Sequence, residues 1–373
     1  MGSRCVFFAG GGTGGHIYPA MAVAEQLRRL DSSVHVHFFC GNRRIDADIL
    51  KPAGYEYTVL PARGLSVRPD TLLAFVRGYM ESRRIAQKVI ADFDSAVVVG
   101  VGGFVAAPAC HAARRARAPV KLINVDIVPG RANKLIARWA DEAFIQFEQA
   151  GRYFAAKGAA VRCVGCPLRA GFADPQAGRA RQSLELDPGK KMLLVTGASS
   201  GAASINEAVC TLLERLGPFA DTWQVVHLAG RTNEQTVAKR YERAPIAYKV
   251  LGYYEAMWDL LAAAEMVIGR SGAVSVAEYA VAGVPAICMP YPYHRDRQQY
   301  LNAAGLVEAG AAVIVDDVPD AKDRAEWLWE ELEPLLKDDR KRAEMRQACK
   351  AIAKPDAARK IAEAILPGRG YTP

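Results

Sequence analysis

The chain has 373 residues, of which 51% are apolar and 24% are charged. This length excludes one ordinary domain and favours two, and the composition is that of a soluble globular protein. The formal charge of +8 favours anionic partners such as nucleotides, diphosphates or an acidic membrane surface, and it carries no information about the fold.

The sequence predicts a peripheral or soluble protein of a reducing compartment. Residues 3–8 run directly into an apolar strand pattern, so no secretory signal is expected. The longest apolar stretch, 96–110, contains three glycines and a proline and is too short and too interrupted to span a bilayer. The eight cysteines show no disulfide-like spacing, and Cys163 and Cys166 are interpreted as core residues rather than as a metal or redox pair.

The first half of the chain alternates predicted strands and helices. An apolar face at helical spacing runs through residues 17–27. The predicted strands lie at 6–8, 34–39, 97–99 and 120–123. This βαβα order predicts a doubly wound parallel sheet.

The second half repeats the pattern after a linker near Gly165-Cys166-Pro167. Its predicted strands lie at 192–195, 223–228, 266–268 and 286–289. Residues 355–366 are predicted to form a helix that folds back on either half. We therefore expect two Rossmann-like α/β domains facing each other across a cleft, with ligands at the carboxyl ends of the strands.

Three glycine-rich turns follow apolar strand patterns, at 9–16, 100–104 and 196–202. Each aims backbone N–H groups and a helix N-terminus at one point, which suits a phosphate group. The first turn also fits the dinucleotide pattern G-x-G-x-x-G. The next strand, however, ends at 39–42 without the acidic residue that would hold an adenosine ribose, which disfavours a nicotinamide-dependent oxidoreductase.

Two further positions carry candidate chemistry. His16 directly follows the first turn, where it is either a general base for a substrate hydroxyl or a residue that merely contacts phosphate or backbone. In residues 268–278 a strand ends, a turn of small residues follows, and a helix is predicted to begin near Gly272. The seven-residue spacing of Ser271 and Glu278 predicts one helical face, with Glu278 either holding a ribose diol or lying solvated on the surface.

Two segments remain open to more than one interpretation. Residues 291–300 contain adjacent amide side chains and several charges, which suit a ligand rich in hydroxyls or an ordinary polar loop. Residues 63–88 mix apolar and basic side chains, which is typical of a membrane-docking surface or of a helix with one face in the core.

Taken together, the motifs at 11–16, 102–105, 129–134, 270–273 and 296–299 resemble one family in content and order. The chain resembles the undecaprenyldiphospho-muramoylpentapeptide β-N-acetylglucosaminyltransferases of glycosyltransferase family 28 over nearly its whole length. The resemblance implies the two-domain GT-B fold. It also implies metal-free, inverting transfer of N-acetylglucosamine from UDP-GlcNAc to the C4 hydroxyl of lipid I, which forms lipid II for peptidoglycan.

The resemblance also implies a role for each matching position. The acceptor domain would span 1–165, with 350–373 packed back on it, and the donor domain 166–349. The implied donor-binding residues are Arg169, Gly197, Ser199, Gly201, Tyr254, Arg270, Ser271, Gly272, Ala273, Glu278, Gln298, Gln299 and Asn302. The implied residues for the acceptor diphosphate are Gly12, Thr13, Gly14, Gly15, Gly102, Gly103, Phe104 and Asn133. His16 is the candidate base, and the implied membrane-docking residues are Leu65, Arg68, Leu72, Leu73, Phe75, Val76 and Arg77.

Several residues depart from the family pattern. Asp126 stands where a neutral amide is expected, and an extra carboxylate would repel a diphosphate unless it is protonated or paired, but it is also a rival base. Phe104 replaces a common tyrosine, Cys166 replaces an asparagine, and Ala198-Ser199-Ser200 replaces Gly-Ser-Gln. The donor motifs are the better preserved.

The implied setting is the cytoplasmic face of a bacterial inner membrane, with UDP-GlcNAc, a polyprenyl-diphosphate-linked acceptor, an anionic membrane surface and other cell-wall enzymes as partners. Neither a cofactor nor a nucleic acid is expected. The alternatives are another lipid glycosyltransferase of the glycosyldiacylglycerol type, a UDP-sugar epimerase of similar fold, and a non-catalytic sugar-nucleotide sensor.

Overall fold

A computed structural model describes residues 3–12, 14–64, 69–198, 201–293 and 296–366. The chain divides into two compact units. The first comprises Met1–Ala170 and Pro355–Pro373, and the second comprises Gly171–Lys354. The sequence placed this division between residues 165 and 166.

The first unit is built on a seven-stranded parallel sheet in the order β3-β2-β1-β4-β5-β6-β7. Its strands are β1 (Arg4–Gly10), β2 (His35–Cys40), β3 (Glu56–Val59), β4 (Ser95–Gly102), β5 (Val120–Asn124), β6 (Glu142–Ile145) and β7 (Ala160–Cys163). Its first helices are α1 (Gly14–Leu30), α2 (Arg44–Leu50), α3 (Pro69–Ala91), α4 (Ala106–Arg115), α5 (Arg131–Ile136) and α6 (Arg152–Ala155). Strand order reverses between β1 and β4, which is where such folds bind ligands.

The second unit is built on a six-stranded parallel sheet in the order β10-β9-β8-β11-β12-β13. Its strands are β8 (Lys191–Thr196), β9 (Trp223–Leu228), β10 (Ala247–Leu251), β11 (Met266–Gly269), β12 (Ala286–Cys288) and β13 (Ala312–Ile314). Its helices are α7 (Ala177–Ser183), α8 (Ala203–Thr211), α9 (Glu234–Tyr241), α10 (Met257–Ala263), α11 (Ala273–Ala282), α12 (Gln298–Glu308), α13 (Ala321–Lys337) and α14 (Asp339–Ile352). Here the order reverses between β8 and β11.

The last helix, α15 (Ala357–Ile365), belongs to the first unit and packs on α1. Its buried residues, among them Ile361 and Ile365, recur at helical spacing and explain the attachment.

Both sheets are buried on both faces, as the near-continuous apolar runs of their central strands require. Phe7 and Phe8 of β1 are fully buried, and so are Leu194 and Val195 of β8. The predicted doubly wound parallel sheets are therefore confirmed.

Candidate functional site

The first two glycine-rich turns lie side by side at the carboxyl edge of the first sheet. Gly10 at the end of β1 pairs with Gly102 at the end of β4, after a shift of register. A Cβ atom on Gly103, which has a φ of +83°, would lie 2.7 Å from the backbone oxygen of Gly11. No side chain fits there, so glycine is what allows the two turns to pack together.

His16 occupies the junction of these turns. Its Nδ1 lies 3.4 Å from the carbonyl oxygen of Gly11. A Cβ atom on Gly102 would be 2.8 Å from Nε2 of the same ring, so the imidazole packs directly on the second turn. The structure thus brings together His16, Gly102 and Gly103, which the sequence had assigned to one site.

A chain of buried amides approaches the same place from β5 and α5. Asn133 Nδ2 donates to Asn124 Oδ1 at 3.1 Å, and Asn124 Nδ2 donates to the carbonyl oxygen of Asp126 at 2.6 Å. The Oδ1 atom of Asn133 is buried and accepts no hydrogen bond from any described residue. It would also lie 3.5 Å from a Cβ atom on Gly102, so an unsatisfied acceptor faces the His16 region.

A buried carboxylate accepts a hydrogen bond from the first glycine turn, and the sequence analysis did not predict it. Asp46 of α2 is fully buried, and its Oδ1 accepts the Gly12 N–H at 2.7 Å while its Oδ2 accepts the Gly41 N–H at 3.0 Å. Arg43 Nη1 donates to the carbonyl oxygen of Gly12 at 2.9 Å. An acidic residue therefore does follow β2, but both of its oxygens bind backbone N–H groups rather than facing a ribose.

Of the other residues assigned to the acceptor side, Gly14 is buried and Gly15 is exposed, at the first two positions of α1. Phe104 is 54% exposed, and its ring contacts Gly64. Arg169, which the sequence assigned to the donor, lies in the first unit with its guanidinium 4.7 Å from the centre of the Tyr18 ring.

Helix α3 carries the predicted membrane-docking residues that the structure describes. Leu72, Leu73 and Val76 are 44%, 64% and 47% exposed, and Met80 extends the apolar stripe by one turn with 47% exposure. Arg77 is exposed beside them, whereas Phe75 is half-buried and packs 6.2 Å from Tyr79.

In the second unit, two turns leave neighbouring strands at one level, because Thr196 of β8 pairs with Gly269 of β11. A Cβ atom on Gly197 would lie 2.0 Å from the backbone nitrogen of Ala202. A Cβ atom on Gly201, whose φ is +75°, would lie 2.3 Å from the carbonyl oxygen of Ala229. Glycine is therefore required at both positions that the sequence assigned to this turn.

Ser271 and Gly272 form the turn that leads into α11. Gly272 is the N-cap residue, so the predicted helix start is confirmed. Ser271 lies outside the helix, so Ser271 and Glu278 do not share a helical face, and that prediction was wrong. The Ser271 hydroxyl is fully buried and makes no hydrogen bond to the described residues. An unsatisfied hydroxyl thus adjoins the positive end of a helix dipole.

Hydrogen bonds with buried side chains hold the turn at Arg270 and Ser271 in place. Tyr279 donates its hydroxyl hydrogen to the carbonyl oxygen of Arg270 at 3.0 Å, and burial raises the pKa of Tyr279. The Arg270 guanidinium donates to the Met289 carbonyl at 2.8 Å, to Asp317 Oδ2 at 2.7 Å and to Ser204 Oγ at 2.9 Å. The guanidinium of Arg270, which the sequence assigned to the donor, therefore makes its hydrogen bonds to residues of the second unit.

The remaining donor residues lie on or near the same edge of the sheet. Ala273 is the first residue of α11, and Glu278 is half-buried on that helix. At α12, Gln299 Oε1 accepts the Tyr291 N–H at 2.9 Å, Gln298 is half-buried, and Asn302 is 1% exposed.

Tyr254 follows β10, and its hydroxyl lies 3.1 Å from Ser183 Oγ. Thr13, Leu65, Arg68 and Ser199 fall outside the residues that the structure describes. Their assignments remain sequence-based predictions.

Two kinds of feature are absent from the residues that the structure describes. Within residues 3–12, 14–64, 69–198, 201–293 and 296–366, no three His, Cys, Asp or Glu side chains cluster as a metal-binding group. Over the same ranges, no helix combines the length and apolarity that crossing a bilayer requires.

Comparison with known proteins covers both units. The family model of the glycosyltransferase family 28 N-terminal domain matches residues 6–145, and that of the C-terminal domain matches residues 192–361. A UDP-N-acetylglucosamine–N-acetylmuramyl-(pentapeptide) pyrophosphoryl-undecaprenol N-acetylglucosamine transferase of Desulforamulus reducens is 32% identical over 372 residues, which cover 96% of this chain and 98% of the relative. A relative of the same name from Clavibacter michiganensis subsp. michiganensis is 34% identical, with 96% and 94% covered.

Solved structures show the same fold. Acinetobacter baumannii MurG superposes with a TM-score of 0.73 at 24% identity, covering 97% of this chain and 99% of that one. A UDP-GlcNAc 2-epimerase from Neisseria meningitidis superposes with a TM-score of 0.70 at 15% identity, covering 97% and 100%. These likenesses extend to the fold alone, and with the matched domains they confirm the predicted GT-B class.

Proposed function

Because the chain belongs to the UDP-N-acetylglucosamine–N-acetylmuramyl-(pentapeptide) pyrophosphoryl-undecaprenol N-acetylglucosamine transferases of glycosyltransferase family 28, we propose that it catalyses their reaction. It transfers N-acetylglucosamine from UDP-GlcNAc to the C4 hydroxyl of undecaprenyl-diphospho-MurNAc-pentapeptide, which forms lipid II. The transfer inverts the anomeric centre.

The second unit holds the donor, and the Ser271 hydroxyl is the observation that carries this assignment. It is fully buried and unsatisfied among the described residues, next to the N-terminus of α11. A diphosphate oxygen bound there gains the hydroxyl hydrogen and the backbone N–H groups of the first helical turn. The turn at 197–202 leaves the neighbouring strand and supplies further N–H groups.

The other parts of the donor bind further residues of the second unit. Glu278 holds the ribose diol, the backbone at Tyr254 reads the uracil, and Ser199 meets the diphosphate. Ala273, Gln298, Gln299 and Asn302 surround the sugar, for which amide side chains that both donate and accept are well suited.

The first unit holds the acceptor, with its diphosphate at the two adjacent glycine turns. His16 takes the proton from the C4 hydroxyl as that oxygen attacks the anomeric carbon. The bond between this carbon and the diphosphate oxygen breaks, and its electron pair leaves with UDP. Such a base contributes about 10²- to 10⁴-fold in rate.

The charge that develops on UDP is stabilised by main-chain N–H groups, by the α11 helix end and by Arg169, rather than by a divalent cation. Fixed dipoles of this kind need no reorganisation during the reaction. Activity that is unchanged by a chelator would support this account, and activity that requires added magnesium would contradict it.

The lipid part of the acceptor supports a location at the cytoplasmic surface of the membrane. The exposed stripe of α3 supports this location because Leu72, Leu73, Val76 and Met80 share it with the exposed Arg77 and Arg84, as on interfacial helices. The apolar residues enter the lipid while the arginines meet anionic headgroups.

Radiolabelled UDP-GlcNAc tests the proposal when it is incubated with vesicles that contain either lipid I or diacylglycerol, and with no acceptor. We expect label in lipid I alone. Label in diacylglycerol would identify a glycosyldiacylglycerol synthase, and free N-acetylmannosamine would identify an epimerase. His16→Ala and Asp126→Asn, assayed in parallel, decide which residue is the base, since only loss of the base lowers kcat by two orders of magnitude or more.

A further inference from the structure

One peptide unit of the first glycine turn lies between a buried carboxylate and the His16 ring. Asp46 Oδ1 accepts the Gly12 N–H at 2.7 Å, and the carbonyl oxygen of Gly11 lies 3.4 Å from His16 Nδ1. The Gly12 N–H and the Gly11 carbonyl belong to the same peptide bond. All described peptide bonds are trans, so these two groups point in opposite directions from that bond.

The direction of the second hydrogen bond follows from its acceptor. A carbonyl oxygen only accepts, so Nδ1 of His16 carries the hydrogen and Nε2 carries the lone pair in the neutral ring. Asp46, the Gly11–Gly12 peptide and His16 thus form a relay from carboxylate to imidazole. The 3.4 Å distance is longer than the usual range of about 2.7–3.2 Å for an N–H···O hydrogen bond.

We propose that Asp46 is a positioning residue that holds His16 in the tautomer required of a general base. The proposal rests on the proposed role of His16 in the transfer reaction. The carboxylate polarises the Gly11–Gly12 peptide, which strengthens the Gly11 oxygen as an acceptor for the Nδ1 hydrogen. When the ring takes up the acceptor's proton at Nε2, the same relay stabilises the positive charge.

The packing around the relay leaves it little freedom. A Cβ atom on Gly11 would lie 2.4 Å from Asp46 Oδ2, and one on Gly103 would lie 2.7 Å from the Gly11 oxygen. The second oxygen of the carboxylate is held by the Gly41 N–H at 3.0 Å. The carboxylate, the peptide and the ring are therefore each fixed by contacts outside the relay.

Asp46→Asn is the direct variant. The new amide offers one oxygen to two N–H groups, so one of them loses its partner. We expect kcat at saturating substrates to fall about 10- to 100-fold, as when a hydrogen-bond partner that orients a metal-binding histidine is lost. The KM for UDP-GlcNAc is expected to stay within about twofold, because the donor site lies in the other unit. Asp48→Asn is the matched control, since Asp48 lies on the same helix but is exposed and pairs only with exposed Arg44 among the ion pairs of the described residues.

A double-mutant cycle separates a relay from general damage. In the His16→Ala background, we expect Asp46→Asn to lower kcat no further. Equal losses in both backgrounds would overturn the relay. Wild-type kcat in His16→Ala would instead overturn His16 as the base, and with it the proposed catalytic role, so the two failures are distinguishable.

The ¹⁵N NMR signals of the histidine rings provide a readout that does not depend on activity. The chain has six histidines, and the His16 signals are identified by their loss in His16→Gln. At a pH where the ring is neutral, we expect a protonated Nδ1 in the wild type and a mixture of tautomers in Asp46→Asn. A wild-type ring protonated at Nε2 overturns the proposal even if Asp46→Asn does not fold.

Arg43→Ala distinguishes an effect of the Asp46 carboxylate on His16 from an effect of disorder in the glycine turn. Arg43 anchors the Gly12 carbonyl at 2.9 Å from outside, and the variant leaves Asp46 in place. We expect the tautomer of His16 to be retained and kcat to fall less than in Asp46→Asn. A tautomer mixture equal to that of Asp46→Asn would show that loop order, and not the carboxylate, sets the ring, and would overturn the proposal.

Discussion

The guanidinium of Arg270 donates a hydrogen bond to Asp317 at 2.7 Å, and the two side chains are only 10% and 4% exposed. Asp317 also lies 3.7 Å from Arg324 and accepts the hydroxyl hydrogen of Ser204 at 2.7 Å. One carboxylate therefore joins the turn before α11 to the first turn of α8, the helix that directly follows the glycine turn assigned to the donor diphosphate.

Asp317→Asn is expected to lower the free energy of unfolding by about 3–5 kcal/mol, because it leaves the buried guanidinium of Arg270 without its counter-ion and leaves Arg324 with Glu207 alone. Chemical denaturation measures this loss. Glu326→Gln is the matched control, since it removes an exposed partner of Arg215 and is expected to cost less than about 1 kcal/mol. Equal losses in the two variants would contradict the structural role given to Asp317.

Gly201→Ala is expected to raise the KM for UDP-GlcNAc at least tenfold. Its Cβ atom would lie 2.3 Å from the backbone of Ala229, and a φ of +75° is costly for alanine, so the turn must move. Steady-state kinetics measure the change. Gly178→Ala, in α7 with open space around its Cβ position, is expected to leave the kinetics unaltered. A normal KM in Gly201→Ala would remove this turn from the donor site.

Much of the fold could be predicted from the sequence, because central strands of parallel sheets are continuous apolar runs. The strands at 223–228 and 266–268 are of this kind. Edge strands β3 and β10 were missed because Glu56–Val59 and Ala247–Leu251 are partly exposed and mix polar with apolar residues. Strand β6 was missed because it begins with the charged residue Glu142, which pairs with Lys121 and interrupts the apolar pattern.

The site was predictable where backbone geometry alone demands a residue type, and it was not where distant side chains meet. Glycines at 102, 103, 197 and 201 were found because turns need them. The bond from Asp46 to Gly12 joins residues 34 positions apart, and that from Arg270 to Asp317 joins residues 47 apart. No local pattern encodes such pairs, so Arg270 was assigned to the ligand without its internal partners.

The stability of the second unit is expected to depend on pH through His227. Burial lowers the pKa of this ring to about 3, and the ring nitrogens lie 3.0 Å from the Tyr241 hydroxyl and from Asn206 Oδ1. The histidine of the unfolded chain has a pKa of about 6.5. Between about pH 6.5 and pH 3, the unfolded chain therefore binds a proton that the folded chain does not. The contribution of His227 to the free energy of unfolding is therefore fully present above about pH 6.5 and is lost as the pH falls toward about 3.

Denaturation of the wild type and His227→Gln between pH 7 and pH 4 measures this contribution. We expect the wild type to lose up to about 1.4 kcal/mol more per pH unit than the variant, which lacks the titrating ring. Parallel pH dependences of the two proteins would show that His227 does not remain neutral in the folded chain.

Membrane docking is expected to weaken when the apolar stripe of α3 is shortened. Leu73→Ala combined with Val76→Ala removes about five buried methyl or methylene groups from a lipid-bound helix, which is enough to lower vesicle affinity at least tenfold. Co-sedimentation with anionic vesicles measures binding. Ile352→Ala, another exposed apolar residue, is expected to have no effect. Unchanged sedimentation of the double variant would exclude α3 as the docking surface.

A crystal structure with UDP-GlcNAc decides whether the second unit binds the donor diphosphate through Ser271 and the N-terminus of α11. We expect a diphosphate oxygen within hydrogen-bonding distance of Ser271 Oγ and of a backbone nitrogen in the first turn of α11, with the ribose on Glu278. A nucleotide bound to the glycine turns of the first unit, with the Ser271 hydroxyl still unpaired, would contradict the account.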